Sequence, residues 1–370
     1  MNNDSYNNDF DSGKIIVTLN KNFHDFNVYK SNIQKILNIN NIQKVKLIFH
    51  SDKSNTGDTL SIYMINKNKI DIINAINKLL NNPNIIDAEP DYLYNQYIIP
   101  NDQYFQYLWG LEKIKIPLAW NYFTGEYNTV VGVLDSGVDY THSDLIDNMW
   151  ISKNGRYVNG WNFIEDNGNP MDETGHGTHV AGTVGAYGNN FIGVTGVCWN
   201  IQIAAFKIGN NRIDLAAAIE AIYFANINNI PILNNSWGGS TYSRILKYAI
   251  EQYDGLFVAS AGNNASNNDL NPIYPASYNS DNIISVAASN PNDELSSLND
   301  EYSYKNGTSM SAPHVSGAAA LIKSYMPTLT TSEIKNIILN SSEKKINLEG
   351  KILTGGILNV NTMFRKLRQE

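Results

Sequence analysis

A single cysteine, Cys198, stands among 370 residues, so no intramolecular disulfide can form and the fold must be held by packing and hydrogen bonds. Its neighbours Gly196, Val197 and Trp199 are small or apolar, the setting of a buried thiol more than of a reactive one. No apolar run approaches the roughly 20 residues of a membrane-spanning helix. The opening Met1-Asn2-Asn3-Asp4-Ser5 carries neither a basic nor an apolar segment, so no signal peptide is visible. Charge is scarce as well: 17% of residues are Asp, Glu, Lys or Arg, and the net charge of −8 is not clustered. That balance argues against nucleic acid and anionic membrane surfaces as partners. No internal repeat is seen.

What is present is enough apolar material, 42% of the chain, for one large core and a smaller one. Residues 1–11 are polar and expected to be disordered. Residues 12–98 read as a small α+β domain, with strands over 15–19, 45–49, 61–64 and 85–92. Its helices are expected over 32–37 and 70–80, the second showing an apolar stripe at Ile70, Ile72, Ile73, Ile76, Leu79 and Leu80. Pro100-Asn101-Asp102 marks a break, followed by an aromatic-rich arm, and residues 99–370 form the larger domain. Five apolar runs, 129–135, 201–207, 231–236, 256–262 and 282–287, alternate there with helical patterns over 176–186, 215–228 and 242–253. This predicts an α/β fold in three layers, a mostly parallel central sheet with helices on both faces. In such sheets ligand chemistry collects at the carboxyl ends of the strands. A helix over 332–340 and the stretch 355–359 close the chain without chemistry of their own.

The stretch richest in chemistry is Asn306-Gly307-Thr308-Ser309-Met310-Ser311-Ala312-Pro313-His314-Val315. Asn-Gly favours a tight turn, and the small residues after it read as a buried helix. Ser309 at that junction is either a helix N-cap or a nucleophile, since a helix start favours a developing anion. Asp135, ending an apolar run, is either a capping residue or a functional carboxylate. His176, in Gly175-His176-Gly177-Thr178-His179, is either structural or a base. A zinc pair with His179 lacks the spacing and the glutamate of His-Glu-x-x-His. Together the residues say more than singly, because the chain order Asp…His…Ser is one of the orders in which a serine triad occurs. Serine needs a histidine to accept its proton, and the carboxylate fixes that histidine's tautomer and stabilises the imidazolium. Asn263, after the fourth run, can supply a side-chain amide to the oxyanion.

Val133-Leu134-Asp135-Ser136-Gly137, Gly175-His176-Gly177-Thr178-His179-Val180-Ala181-Gly182 and Gly307–Val315 resemble the three signature blocks of subtilisin-like serine peptidases. The resemblance runs over residues 100–330. It implies Asp135, His176 and Ser309 as a triad, Asn263 as oxyanion-hole residue, and packing roles for His179 and His314. It implies Ser236-Trp237-Gly238-Gly239 as an edge on which a peptide substrate pairs as an extended strand. It implies a first specificity pocket walled by Ala259, Ser260, Ala261 and Gly262 with Ile273 near its floor, suited to a medium apolar or aromatic residue. The small domain resembles the family's propeptide, an intramolecular inhibitor, most clearly over 83–92, with autocleavage expected between Tyr92 and Pro100. Residues 187–194 resemble the family's calcium loop. Asp102, Asp144 and Asn190 are then the side-chain ligands of a structural Ca²⁺, and Tyr187, Ile192 and Val194 the carbonyl ligands. A monomer is expected. The family suggests secretion, whereas the missing signal peptide and the lone cysteine are also compatible with the cytoplasm.

Two segments are shorter than the family pattern. Only Gly209–Arg212 stands where a Gly/Ser-rich edge strand usually forms the other side of the cleft. Between Ser289 and Gly307 another apolar strand is missing, and it would pack beside the helix of Ser309. The alternative reading is therefore a catalytically weak or inactive subtilisin-like protein with a binding or regulatory role.

Overall fold

The structure is a computed structural model that describes residues 10–20, 33, 35, 42–49, 59–64, 69–92, 98–292 and 307–368. The chain divides into two units, Met1–Asn95 and Gln96–Glu370, a few residues before the boundary expected at 98/99.

The first unit is an antiparallel sheet with a helix. Its strands are β1 (Phe10–Leu19), β2 (Ile42–Phe49), β3 (Thr59–Met64) and β4 (Ile85–Tyr92), in the order β2-β3-β1-β4. Helix α1 (Lys69–Leu80) buries Ile72, Ile76 and Leu79 with Ile15, Val17, Leu60 and Ile62 in one core. Of the predicted apolar stripe, Ile72, Ile76 and Leu79 are buried and Leu80 packs against the same core. Phe10 and Asp11 belong to β1, so the tail expected over 1–11 ends earlier; its remainder lies outside the described residues. Of the helix expected over 32–37, only residues 33 and 35 are described, both helical.

The second unit carries a six-stranded parallel sheet in the order β10-β9-β8-β5-β7-β6. Its members are β5 (Gly125–Asp135), β6 (Gly160–Asn162), β7 (Asn200–Lys207), β8 (Ile232–Asn235), β9 (Leu256–Ser260) and β10 (Ile283–Val286). All five predicted runs are strands. The short β6 was not predicted: its one apolar residue, Trp161, gives no run to recognise. Alternate residues of β5 feed two cores. Val131 and Val133 face helices α2 (His176–Gly185) and α5 (Thr308–Tyr325), while Leu134 faces α3 (Leu215–Ile227) and α4 (Arg244–Glu251). Helix α5 can lie close against α2 because its residues are small: a Cβ on Gly317 would come within 2.8 Å of the Val184 carbonyl oxygen. Polar residues start the helices by accepting amide hydrogen bonds, Asp214 for α3, Ser243 for α4 and Thr330 for α6 (Thr331–Asn340). β10 is an edge strand of the described sheet, and of the shortened segment beyond it, Asn290–Asn306, residues 293–306 lie outside the described residues. No helix among the described residues is long and apolar enough to cross a membrane.

Cys198 is fully buried and its thiol pKa is driven far upward by burial. Native protein should therefore be inert to an aromatic disulfide reagent at pH 8, and denatured protein should release one equivalent of thiolate. Rapid labelling of the native form would show that this core opens.

Candidate active site

Three neighbouring strands deliver the candidate residues. Asp135 ends β5, Ser236 follows β8, and Asn263 follows β9; the register pairs Leu134 with Asn235 and Asn235 with Ala259. Parallel strands lie about 4.8 Å apart, so their carboxyl ends form one compact rim.

Asp135 is buried, and its Oδ1 accepts a hydrogen bond from the Ser136 amide at 2.7 Å, with the Ser136 hydroxyl oxygen 3.2 Å away. The same oxygen stands 2.6 Å from His176 Nδ1, the geometry of an N–H donating to a carboxylate. His176 is the first residue of α2, after Gly175 in the left-handed region at φ 73°. The approach of α2 to β5 is close because Gly177 lacks a side chain: a Cβ there would lie 2.0 Å from the Gly137 carbonyl oxygen.

A second carboxylate supports this pair. Asp172 accepts from Ser136 Oγ at 2.9 Å, from the Thr174 amide at 2.9 Å, and from the amide and hydroxyl of Thr178 at 2.9 and 2.7 Å. Ser136 Oγ in turn accepts from the Gly177 amide at 3.0 Å. Burial pushes the Asp172 carboxyl upward, but the bonds from Thr178, Thr174 and Ser136 outweigh it and hold the group below its ordinary value. Lys207, buried at the end of β7, donates to the Met171 carbonyl at 3.0 Å and to Glu173 at 3.1 Å, which pins the segment around Asp172. Asp172, Ser136, Thr174 and Thr178 were not singled out from the sequence. The available signal was that all four sit within or beside the two signature blocks.

Ser309 lies in the first turn of α5, after Gly307 at φ 128°. A buried polar chain fixes its backbone: Ser316 Oγ donates to Asn234 Oδ1 at 2.8 Å, Asn234 Nδ2 to Ser236 Oγ at 3.0 Å, and Ser236 Oγ to the Ser309 carbonyl at 2.8 Å. The Ser309 hydroxyl donates to the Ser236 carbonyl at 3.0 Å, and among the described residues no hydrogen bond joins it to His176. Asn263 Oδ1 accepts from the amide and hydroxyl of Thr308, both at 2.9 Å. Its Nδ2 is thereby the end left to donate toward the cleft. His314 is half-buried, with Nδ1–H donating to the Met310 carbonyl at 2.7 Å, and desolvation lowers its pKa.

The substrate-side expectations divide. Ala259 is fully buried in the core with Phe257 and Ala218, so its side chain is not free to line a pocket; the continuation of β9 at Ala261 and Gly262 is half-buried. Trp237 packs its ring against that same core and leaves only its backbone to the rim. Gly239 is already paired with Tyr274 through both its amide and its carbonyl, at 2.8 and 2.7 Å. Gly238 is exposed and makes no hydrogen bond among the described residues, so its amide and carbonyl are the groups left free on this segment. Across the cleft Gly209 bridges to Ile213, a tight turn in place of an edge strand.

Around the loop 187–194, Asp144 Oδ2 accepts from the Val194 amide at 2.9 Å, and its Oδ1 lies 3.3 Å from Asn190 Nδ2. Asn190 Oδ1 accepts from the Ile192 amide, and the Tyr187 amide donates to the Asp144 carbonyl. Asp102 Oδ2 accepts from the Asn189 amide, while its Oδ1 is buried without a partner. A hard cation takes oxygen ligands, and of these carboxylate oxygens Asp102 Oδ1 is the one left without a hydrogen-bond partner among the described residues.

A parallel sheet whose strand ends bring together an Asp–His pair, a serine at a helix start and a side-chain amide is the framework of a serine hydrolase. The sequence profile described as "Subtilase family" matches residues 126–301 and 296–355. The chain is 34% identical to the thermophilic serine proteinase of Bacillus sp. (strain AK1), over 69% of this chain and 68% of that one. It is 34% identical to subtilisin DY of Bacillus licheniformis, over 63% and 89%. Among solved structures, a protease from Pseudoalteromonas arctica PAMC 21717 shares the fold with a TM-score of 0.58 at 24% identity, covering 72% of this chain and 99% of that one. The chain belongs to the subtilase family: it is a subtilisin-like serine protease, a hydrolase.

Proposed function

We propose that the protein is an endopeptidase in which Ser309 attacks the peptide carbonyl, His176 takes and returns the proton, and Asp135 orients and charges against His176. The observation that carries this is the 2.6 Å contact between His176 Nδ1 and Asp135 on the rim that holds Ser309. It leaves Nε2 of the imidazole as the base. Attack gives a tetrahedral oxyanion, to which Asn263 Nδ2 and the free amide at the start of α5 donate. Expulsion of the amine, protonated by His176, leaves an acyl-enzyme on Ser309 that water hydrolyses.

One observation favours the second reading, a weak or inactive protein: the Ser309 hydroxyl turns to Ser236 and not to His176. A neutral hydrogen bond contributes only about 1 kcal/mol net, and a serine rotamer exchanges within nanoseconds. Apo catalytic bonds also tighten on substrate binding, so this rotamer does not bar catalysis. The test is labelling by a fluorophosphonate, with the adduct placed by mass spectrometry. Modification of Ser309, absent from Ser309→Ala, supports the peptidase; an unlabelled wild type supports the inactive reading.

The small unit reads as a propeptide that inhibits the protease in cis and is removed by it between Tyr92 and Pro100. Purified wild type should then be shorter than Ser309→Ala by the residues up to the cut, and equal masses would contradict self-processing. For the loop 187–194 we read a structural Ca²⁺ held by Asp102, Asp144 and Asn190 with carbonyls of Tyr187, Ile192 and Val194. When bound it supplies rigidity to the loop, and Asp102 and Asp144 anchor its two sides. At a hundredfold excess over its Kd such an ion stabilises by about 2.7 kcal/mol, so EDTA should lower Tm by about 5–10 °C. An unchanged Tm removes the ion.

A further inference from the structure

The slot between the two rim segments is the place where substrate selection is decided, and it is partly filled. In the pocket that the subtilisin-like resemblance implies, the side chain preceding the cleaved bond lies between Ser236–Gly239 and Ala261–Asn263. The walls there carry no side chains at Gly238 and Gly262. A Cβ on Gly238 would lie 2.9 Å from Ile273 Cγ2, and a Cβ on Gly262 would lie 3.1 Å from Cγ1 and 3.3 Å from Cγ2 of the same residue. One isoleucine, half-buried, therefore stands against both walls.

Ile273 is held firmly. Its amide donates to Ser277 Oγ at 3.1 Å and its carbonyl accepts from the Ser277 amide at 2.8 Å. The next residue, Tyr274, is the one paired with Gly239 through both amide and carbonyl, and its ring meets Tyr242 edge-on at 5.1 Å and Tyr278 tilted at 4.7 Å. A β-branched side chain on such a backbone has little rotamer freedom with which to withdraw.

We infer that Ile273 acts as a plug that shortens this slot, so that the enzyme cleaves after small residues, Ala, Gly or Ser, and rejects aromatic ones. The inference rests on the peptidase reading of the rim. It replaces the medium apolar or aromatic preference expected from small walls and an apolar floor, because that expectation placed Ile273 beneath the slot and not within it. Even a single methylene in an apolar pocket discriminates by about 10–200-fold, and an aromatic ring forced onto Ile273 exceeds that volume difference. The stretch 93–99 contains no Ala, Gly or Ser, so a maturation cut there relies on proximity, which in cis reaches effective molarities of about 10⁵ M or more.

The experiment compares peptides differing only in the residue before the cleaved bond. Wild type should show kcat/KM for Ala above that for Phe by about 10–200-fold, and Ile273→Gly and Ile273→Ala should shift the ratio toward Phe by a comparable factor. A wild type that cleaves after Phe as well as after Ala overturns the plug, as does an unchanged ratio in both variants. Binding of the same sequences as free acids to Ser309→Ala reads the slot without turnover. Tighter binding of the Ala-ending peptide supports the plug, and tighter binding of the Phe-ending one overturns it. An unlabelled Ser309 in the wild type would instead overturn the catalytic reading alone.

Discussion

Asp135→Asn should lower kcat by about 10⁴-fold while leaving the fold intact. The amide matches the carboxylate in shape, so the Ser136 amide keeps its acceptor and the core around β5 is undisturbed. What is lost is charge and donor logic. Asp135 Oδ1 collects two donors, the Ser136 amide and His176 Nδ1. An Asn can satisfy them only by turning its own N–H₂ away, and even then it offers no negative charge to the imidazolium formed when Ser309 gives up its proton. If the amide turns the other way, Nδ1 must become an acceptor and the base is held in the wrong tautomer. Thermal unfolding within a few degrees of wild type, together with the loss in kcat, is the expected pair of results. A variant retaining a tenth or more of wild-type kcat would show that His176 is oriented by something else.

Asp172→Ala should cost about 3 kcal/mol of stability, some 6–12 °C in Tm, and about 10² in kcat. Its carboxylate gathers Ser136, Thr174 and Thr178. Alanine leaves those donors unpaired and frees the first turn of α2, on which His176 sits. A rim residue misplaced by about 1 Å is enough for the rate effect. The pH dependence separates Asp172 from a general packing role. Its folded pKa is depressed, so its stabilising contribution is complete above the unfolded value of about 3.9 and is lost as pH falls through the folded value. Asp172→Asn should therefore be less stable at neutral pH and show a flatter decline in acid, read from Tm between pH 2 and pH 6. Parallel declines for variant and wild type would remove the charge from the explanation.

Both predictions concern residues of very different legibility. Asp135, His176 and Ser309 could be read from the sequence because each lies at an element boundary inside a dense local pattern, and a parallel sheet brings strand ends to one rim. The five apolar runs were equally plain, since strands buried on both faces leave no alternation to misjudge. Asp172 was illegible for a physical reason. Its partners Ser136 and Thr178 are remote in sequence or on another turn, and only the closeness of α2 to β5, permitted at Gly177, makes one network of them. Ala259 misled because a small residue reads the same in a wall as in a core. Gly239 misled because its hydrogen-bonding capacity is taken by Tyr274, far along the chain. Ile273 could be placed near the slot by resemblance, but whether it lies under or inside it depends on that same pairing.

The glycine walls of the slot carry a consequence for how such an enzyme diverges. Gly238 and Gly262 present bare backbone, and side chains there would collide with Ile273, so mutation has little room to act on the walls. Position 273 is different: it belongs to a connecting segment, touches neither Ser309 nor His176 through any hydrogen bond among the described residues, and on the plug proposal sets the depth of the slot. A lineage can thus exchange one codon and acquire a new diet while its machinery for breaking the bond is inherited unchanged.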